Sequence, residues 1–174
     1  MARNIEIKAR IKSIDALIPR VAALTSGDPI EIEQDDTFFR CENGRLKLRE
    51  FANKSGELIF YQRADQPGPK ESFYLRTPVA ETASLRETLS AACGQLGRIR
   101  KHRILYLIGR TRVHLDRIQN LGHFLELEVV LDEGESVQAG VEVATTLMEQ
   151  LGIQSGQLID CAYIDLLGGK RARP

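Results

Sequence analysis

A chain of 174 residues in which 24 Lys and Arg balance 24 Asp and Glu has no net charge, which excludes the broad positive field of a general nucleic-acid or membrane binder. No apolar run approaches the length of a membrane span, and the first ten residues lack the hydrophobic stretch of a signal peptide. Hydrophobic residues at 43% suffice for one core, and the three cysteines (Cys41, Cys93 and Cys161) fall outside any metal-ligand spacing, so a reduced, cytoplasmic, single-domain protein is expected.

Residues 4–11 alternate cleanly, with Ile5, Ile7, Ala9 and Ile11 on one face and Asn4, Glu6, Lys8 and Arg10 on the other. Ser13 offers an N-cap for a short helix to about Leu24, with Pro19 predicting a break or bend inside it. Gly27-Asp28-Pro29 turns the chain into a strand over 30–34, and 35–39 follow. Asn43-Gly44 is a strong hairpin turn leading directly into a basic strand over 45–50. A loop at 53–56 precedes a strand at 57–63, and the Gln66-Pro67-Gly68-Pro69-Lys70 loop precedes another at 72–79. Residues 84–93 suit a helix capped by Ser84 and stopped by Gly94. Strands are expected at 99–108, 112–116 and 124–131, then the most regular helix, 136–151, ending at Gly152. The domain is expected to occupy 1–168, with 169–174 a basic, frayed tail. Many strands and few helices predict α+β architecture around a large antiparallel sheet.

The charges are sorted by strand. Arg45, Lys47 and Arg49 share one face of their strand, as do Lys101 and Arg103, while Glu126 and Glu128 form an acidic pair and Glu6 and Lys8 a mixed one. A half-solvated antiparallel sheet accounts for any single strand of this kind. Several such strands, each with one sign of charge, point further. Two like charges 4 Å apart repel by about 4 kcal/mol at an effective dielectric near 20, so converging basic strands require an anion or carboxylates between them. Phosphate would supply charge-assisted hydrogen bonds. A sheet curled with charge inside and apolar residues outside is a barrel with a wet lumen. Glu6, Glu126 and Glu128 are hard oxygen donors suited to Mg²⁺ beside phosphate oxygens.

The ordered motifs resemble the CYTH superfamily, the triphosphate tunnel metalloenzymes, and within it the class IV adenylyl cyclase-like branch. Asn4-Ile5-Glu6-Ile7-Lys8 is similar to the family's E-x-E-x-K strand, with Asn4 in place of its first Glu. Gln34-x-Asp36-x-Phe38-Phe39, Gly44 to Arg49, Tyr61-x-Arg63 with Gly68-Pro69-Lys70, and Lys101-x-Arg103 resemble the segments that follow. His114-Leu115-Asp116, Leu121-Gly122-x-Phe124-x-Glu126-x-Glu128 and the Ala162-Tyr163 segment resemble the last ones.

The resemblance implies an eight-stranded antiparallel β-barrel tunnel with flanking helices outside. It implies phosphate binding by Lys8, Lys47, Arg49, Arg63, Lys101 and Arg103, and Mg²⁺ or Mn²⁺ held by Glu6, Glu126 and Glu128, with Asp116 on the metal side. Lys8, Glu126 and Glu128 are the implied catalytic residues. The implied reaction is adenylyl cyclase-like, ATP to cyclic AMP and pyrophosphate, with inorganic or organic triphosphate hydrolysis as the alternative. Asn4, uncharged and unable to act as a base, keeps a non-catalytic polyphosphate- or nucleotide-binding module as a third reading. The expected partner is a nucleoside triphosphate or other small triphosphate, with neither nucleic acid nor membrane, in a monomer or homodimer. His114, on the face of Arg112 and Asp116, reads first as a structural hydrogen bonder and second as a proton carrier.

Overall fold

The computed structural model describes residues 2–168. Eight strands appear in the order β1 (Ala2–Ile11), β2 (Ile30–Phe39), β3 (Arg45–Phe51), β4 (Gly56–Arg63), β5 (Lys70–Val79), β6 (Gln95–Ile108), β7 (Thr111–Ile118) and β8 (Gly122–Val130). They close into a barrel in the order β1-β5-β4-β3-β2-β6-β7-β8, and every pairing is antiparallel. The expected fold class is therefore the observed one. Closure removes both sheet edges, so long strands with charged inner faces need no edge protection.

The period-two pattern decides which face is core. On β1, Ile5, Ile7 and Ala9 are fully buried on the outer face, where Leu125, Leu127 and Val129 of β8 join them. The helix α3 (Val137–Leu151) covers this surface through Ala144, Leu147 and Leu151. Ser136 caps it by accepting from the Ala139 N–H at 3.2 Å, and Gly152 ends it in the left-handed conformation at φ 72°. Gly140 lets the helix backbone close on the sheet: a Cβ there would lie 2.5 Å from Ile5 and 2.6 Å from Leu131.

A smaller apolar cluster of Phe38, Ile99, Ile118, Phe124, Ile159 and Tyr163 closes one end of the barrel. Tyr163 opens a short helix, α4 (Tyr163–Leu167), and meets Phe124 edge-on with ring centroids 4.9 Å apart.

The helices depart locally from expectation. The first, α1, spans only Ile18–Ala22, because Pro19 lacks an N–H and fits the first turn rather than a helix interior. Ser13 instead accepts from the Ala16 N–H in a turn at 3.4 Å. The second, α2, spans Thr82–Cys93 and starts ahead of Ser84, since the Thr82 hydroxyl donates to Glu50 at 2.6 Å and anchors it on β3. Lys70, expected in a loop, is the first residue of β5 and is buried. Strand β6 begins four residues before the predicted Ile99. The predicted tail, 169–174, lies outside the described residues.

Candidate active site

Inward-facing positions of all eight strands line one lumen with a cavity of about 270 Å³. Eight Lys and Arg and five Asp and Glu are among its lining residues, a surplus that favours an anionic ligand. The basic strands do not simply face one another. Strand β2 lies between β3 and β6 and places Asp36 between their cations: Lys47 Nζ donates to Asp36 at 2.9 Å and Arg49 donates twice at 2.8 Å. On the far side of β6, Asp116 of β7 accepts from Arg103 twice at 2.7 Å and from Lys101 at 3.3 Å. Carboxylates built into the wall thus supply part of the compensation that converging basic strands require.

These pairs set the protonation states. Burial alone would raise Asp36, but Arg49 and Lys47 hold its carboxyl well below the usual range, and Arg103 and Lys101 do the same for Asp116. Lys101 moves the other way: burial and the neighbouring Arg103 push its ammonium down to about 7. Burial and Arg63 bring Lys70 down to about 8.

The carboxylates of β1 and β8 gather opposite. Register pairs Glu6 with Glu128 and Lys8 with Glu126. Lys8 Nζ lies 3.3 Å from both Glu6 and Glu126, and Arg63 donates to Glu6 at 2.9 Å. His114, Glu126 and Glu128 bring one ligand atom each within 4.8 Å of one another. Burial and Arg103 depress the His114 imidazole. Despite burial, Lys8 holds Glu126 well below the usual carboxylate range, and His114 with Arg112 lowers Glu128. An imidazole beside two carboxylates is a donor set that fits a divalent ion. Burial raises the Glu6 carboxyl, with repulsion from Glu126 and Glu128 added.

Among the described residues, the buried side-chain polar atoms without a partner are Asn4 Oδ1, Gln34 Oε1, Arg63 Nε and Nη2, His114 Nδ1 and Thr111 Oγ1. All but the last belong to residues that line the tunnel. Buried polar groups are ordinarily satisfied, so their concentration here marks a place built to meet a polar ligand.

A family model described as CYTH domain matches residues 2–163. The chain belongs to the CYTH domain family. Adenylate cyclase CyaB of Aeromonas hydrophila is 26% identical over 168 residues, covering 92% of this CYTH chain and 86% of that protein. A Pyrococcus horikoshii protein shares the fold with a TM-score of 0.83 at 20% identity, over 94% of this chain and 98% of that one. A Hippeastrum protein, named as a candidate adenylyl cyclase and described as having a dominant triphosphatase activity, superposes with a TM-score of 0.66 at 15% identity, over 100% and 98% of the two chains. Among the described residues, no helix is long and apolar enough to cross a membrane.

The CYTH tunnel brings Glu6, Lys8, Lys47, Arg49, Arg63, Lys101, Arg103, Glu126 and Glu128 to one lumen. Asp116 is fully buried beside this lumen: both its oxygens accept from Arg103, and the Tyr163 hydroxyl donates to it at 3.3 Å. Sequence reasoning passed over three contributors. Asp36 stood in a quoted motif without a role. Arg112, which pairs with Glu128 at 2.8 Å, was signalled only by sharing a face with His114. Lys70, opposite Glu6 in register, read as loop because of the flanking prolines and glycine. Tyr61 and Tyr74 line the tunnel, whereas Phe60 and Phe73 alternate to the outer face.

Proposed function

We propose that this CYTH domain is a divalent-metal-dependent enzyme that holds a triphosphate in its tunnel, and that its reaction is adenylyl cyclase-like. The ribose 3′-hydroxyl of ATP would attack the α-phosphorus, forming the cyclic phosphodiester as the bond to pyrophosphate breaks. The observation that carries the reading is the enclosure of Lys8, Lys47, Arg49, Arg63, Lys101 and Arg103 around one lumen with Glu6, Glu126 and Glu128. The 26% identity with CyaB along most of both chains supports cyclisation.

Glu126 and Glu128, with Glu6 alongside and His114 at the same cluster, would hold Mg²⁺ or Mn²⁺, which when bound neutralises charge on phosphoryl oxygens. The chain's own cations do the rest. Lys47 and Arg49, fixed by Asp36, and Lys101 and Arg103, fixed by Asp116, present prepositioned donors to the polyphosphate. Lys8 sits between Glu6 and Glu126, where its ammonium can stabilise charge developing on the leaving oxygens. Tyr163 and the apolar cluster behind it keep water from entering at the closed end.

Triphosphatase activity is the second reading: water attacks the terminal phosphorus and orthophosphate leaves. Two observations favour it, the Hippeastrum neighbour described above and a cavity below the roughly 300–1,000 Å³ of ordinary ligand pockets. Phosphorus NMR with product chromatography tests both, using ATP and inorganic triphosphate with Mg²⁺ and then Mn²⁺. Cyclic AMP plus pyrophosphate establishes the cyclase. Orthophosphate without a cyclic product establishes the triphosphatase, and binding without turnover reduces the protein to a binding module.

A further inference from the structure

Strand β2 and helix α2 converge on two cysteines outside the tunnel. Thr82, Leu85, Arg86, Leu89, Ser90 and Cys93 are the buried or half-buried residues of α2, and the rest of the helix is exposed. Their spacing of three and four puts them on one face, turned to the barrel. Two contacts fix how that face lies along β2. The Arg86 guanidinium donates to the Thr37 hydroxyl at 3.1 Å, and beyond the helix end the Arg40 N–H donates to the Gly94 carbonyl at 3.1 Å. Helix and strand therefore run the same way, and Cys93 arrives beside the end of β2.

Cys41 comes from the strand side. The β2–β6 ladder pairs Phe39 with Gln95 after a bulge. The Arg40–Gly94 bond carries that register one step on, and the next step sets Cys41 against Cys93, the last residue of the helix. A Cβ on Gly94 would lie 3.6 Å from the Arg40 Cδ, so the two segments pack closely here. Directly opposed residues of antiparallel chains have Cα atoms about 4.5–5.5 Å apart, inside the range of about 4.4–6.8 Å that a disulfide spans. Both cysteines are free and half-buried, within reach of a small oxidant.

We propose that Cys41 and Cys93 form an oxidation site that hydrogen peroxide closes to an intramolecular disulfide. The thiolate of one cysteine attacks a peroxide oxygen, giving a sulfenic acid and one water. The second thiol then attacks that sulfur, the S–S bond forms and another water leaves, so two thiols are oxidised as one peroxide is reduced. The bond fastens α2 to the hairpin between β2 and β3, the strands that carry Asp36, Lys47 and Arg49. Cys161 is buried, and burial with Asp160 pushes its thiol up, which leaves it the least reactive of the three. Nothing in this chemistry depends on what the tunnel binds.

Thiol mapping on the full chain tests the site. The protein is treated with stoichiometric hydrogen peroxide, remaining thiols are alkylated, and peptides are analysed by mass spectrometry without reductant. Two of the three thiols should disappear, in a single-chain product with a Cys41–Cys93 cross-linked peptide that dithiothreitol reverses. Closing a loop of this length should raise the Tm by about 10 °C. Cys41→Ser and Cys93→Ser should each abolish both the cross-link and the rise, while Cys161→Ala keeps both. Three thiols surviving peroxide would overturn the proposal, as would oxidation of Cys41 or Cys93 past the sulfenic acid without a cross-link. A bridge to Cys161 or between two chains would overturn it equally.

Discussion

Arg103 and Asp116 stand opposite each other across β6 and β7 and form a two-pronged pair, Nε on Oδ1 and Nη2 on Oδ2, both at 2.7 Å. Arg103 Nη2 also donates to Glu126 at 2.9 Å, so one guanidinium connects a wall carboxylate to the candidate metal cluster. Asp116 is fully buried, and the Lys101 ammonium and the Tyr163 hydroxyl also point at it. The pair therefore orients two phosphate-binding cations before any ligand arrives, which reduces the ordering cost of binding.

Removing the charge of Asp116 exposes that dependence. Asp116→Asn leaves the buried Arg103 guanidinium short of a counter-charge, and Lys101 as well where it is protonated, and breaking a buried pair in this way costs about 3–5 kcal/mol. Urea unfolding should show the loss, and an added triphosphate should recover more stability in the variant than in the wild type. Equal stabilisation of both by triphosphate would show that the polyanion does not reach Arg103 and Lys101.

Lys101 makes triphosphate binding proton-linked. With its ammonium at about 7 in the folded chain against an ordinary 10.5, it is neutral in the free tunnel above pH 7 and charged when unfolded. This group therefore makes stability rise with pH between about 7 and 10.5, and weakens the free protein below that window. A bound polyanion favours the ammonium, so binding at pH 8.5 should take up about one proton and binding at pH 6 none. Calorimetry in buffers of different ionisation enthalpy measures the uptake, to which Lys70, at about 8, contributes as well.

Asn4 lines the tunnel on the same strand face as Glu6, with Oδ1 unpartnered. Asn4→Glu adds a carboxylate near Glu6 and Glu128, so the metal-free variant should unfold at a lower temperature than the wild type. Millimolar Mg²⁺ or Mn²⁺ should reverse the order, and the apparent metal affinity should tighten about tenfold, a factor of about 1.4 kcal/mol. Thermal unfolding with and without metal reads both. In the wild type, triphosphate affinity should itself rise on adding Mg²⁺, and calorimetry showing no change would sink the coupled site.

Gly140 tests the scaffold apart from the site. A methyl group there meets Ile5 and Leu131 at contacts real side chains do not show, so Gly140→Ala should destabilise by about 1–3 kcal/mol through overpacking, despite alanine's better helix propensity. Triphosphate affinity of the folded variant should be unchanged, because Gly140 faces the outer surface of β1. A stabilised variant in denaturant titration would contradict the packing described here.

Much of this architecture is written in alternation. Ile5 and Ile7 against Glu6 and Lys8, or Leu125 and Leu127 against Glu126 and Glu128, assign core and lumen from strand geometry alone, since a period of two leaves each side chain one of two faces. Helix ends were less legible: Ser13 and Ser84 are good caps by type, but Pro19 and the Thr82–Glu50 bond decided where those helices begin. The chain on its own determined which residues point inward and that they carry sorted charge. Only closure of the barrel decided their partners, by inserting β2 between β3 and β6 so that Asp36 neutralises Lys47 and Arg49, and by setting β7 against β6 so that Asp116 grips Arg103. Those pairs join residues far apart in sequence, and their energies depend on burial and on separations of a few ångströms that strand order and register alone establish.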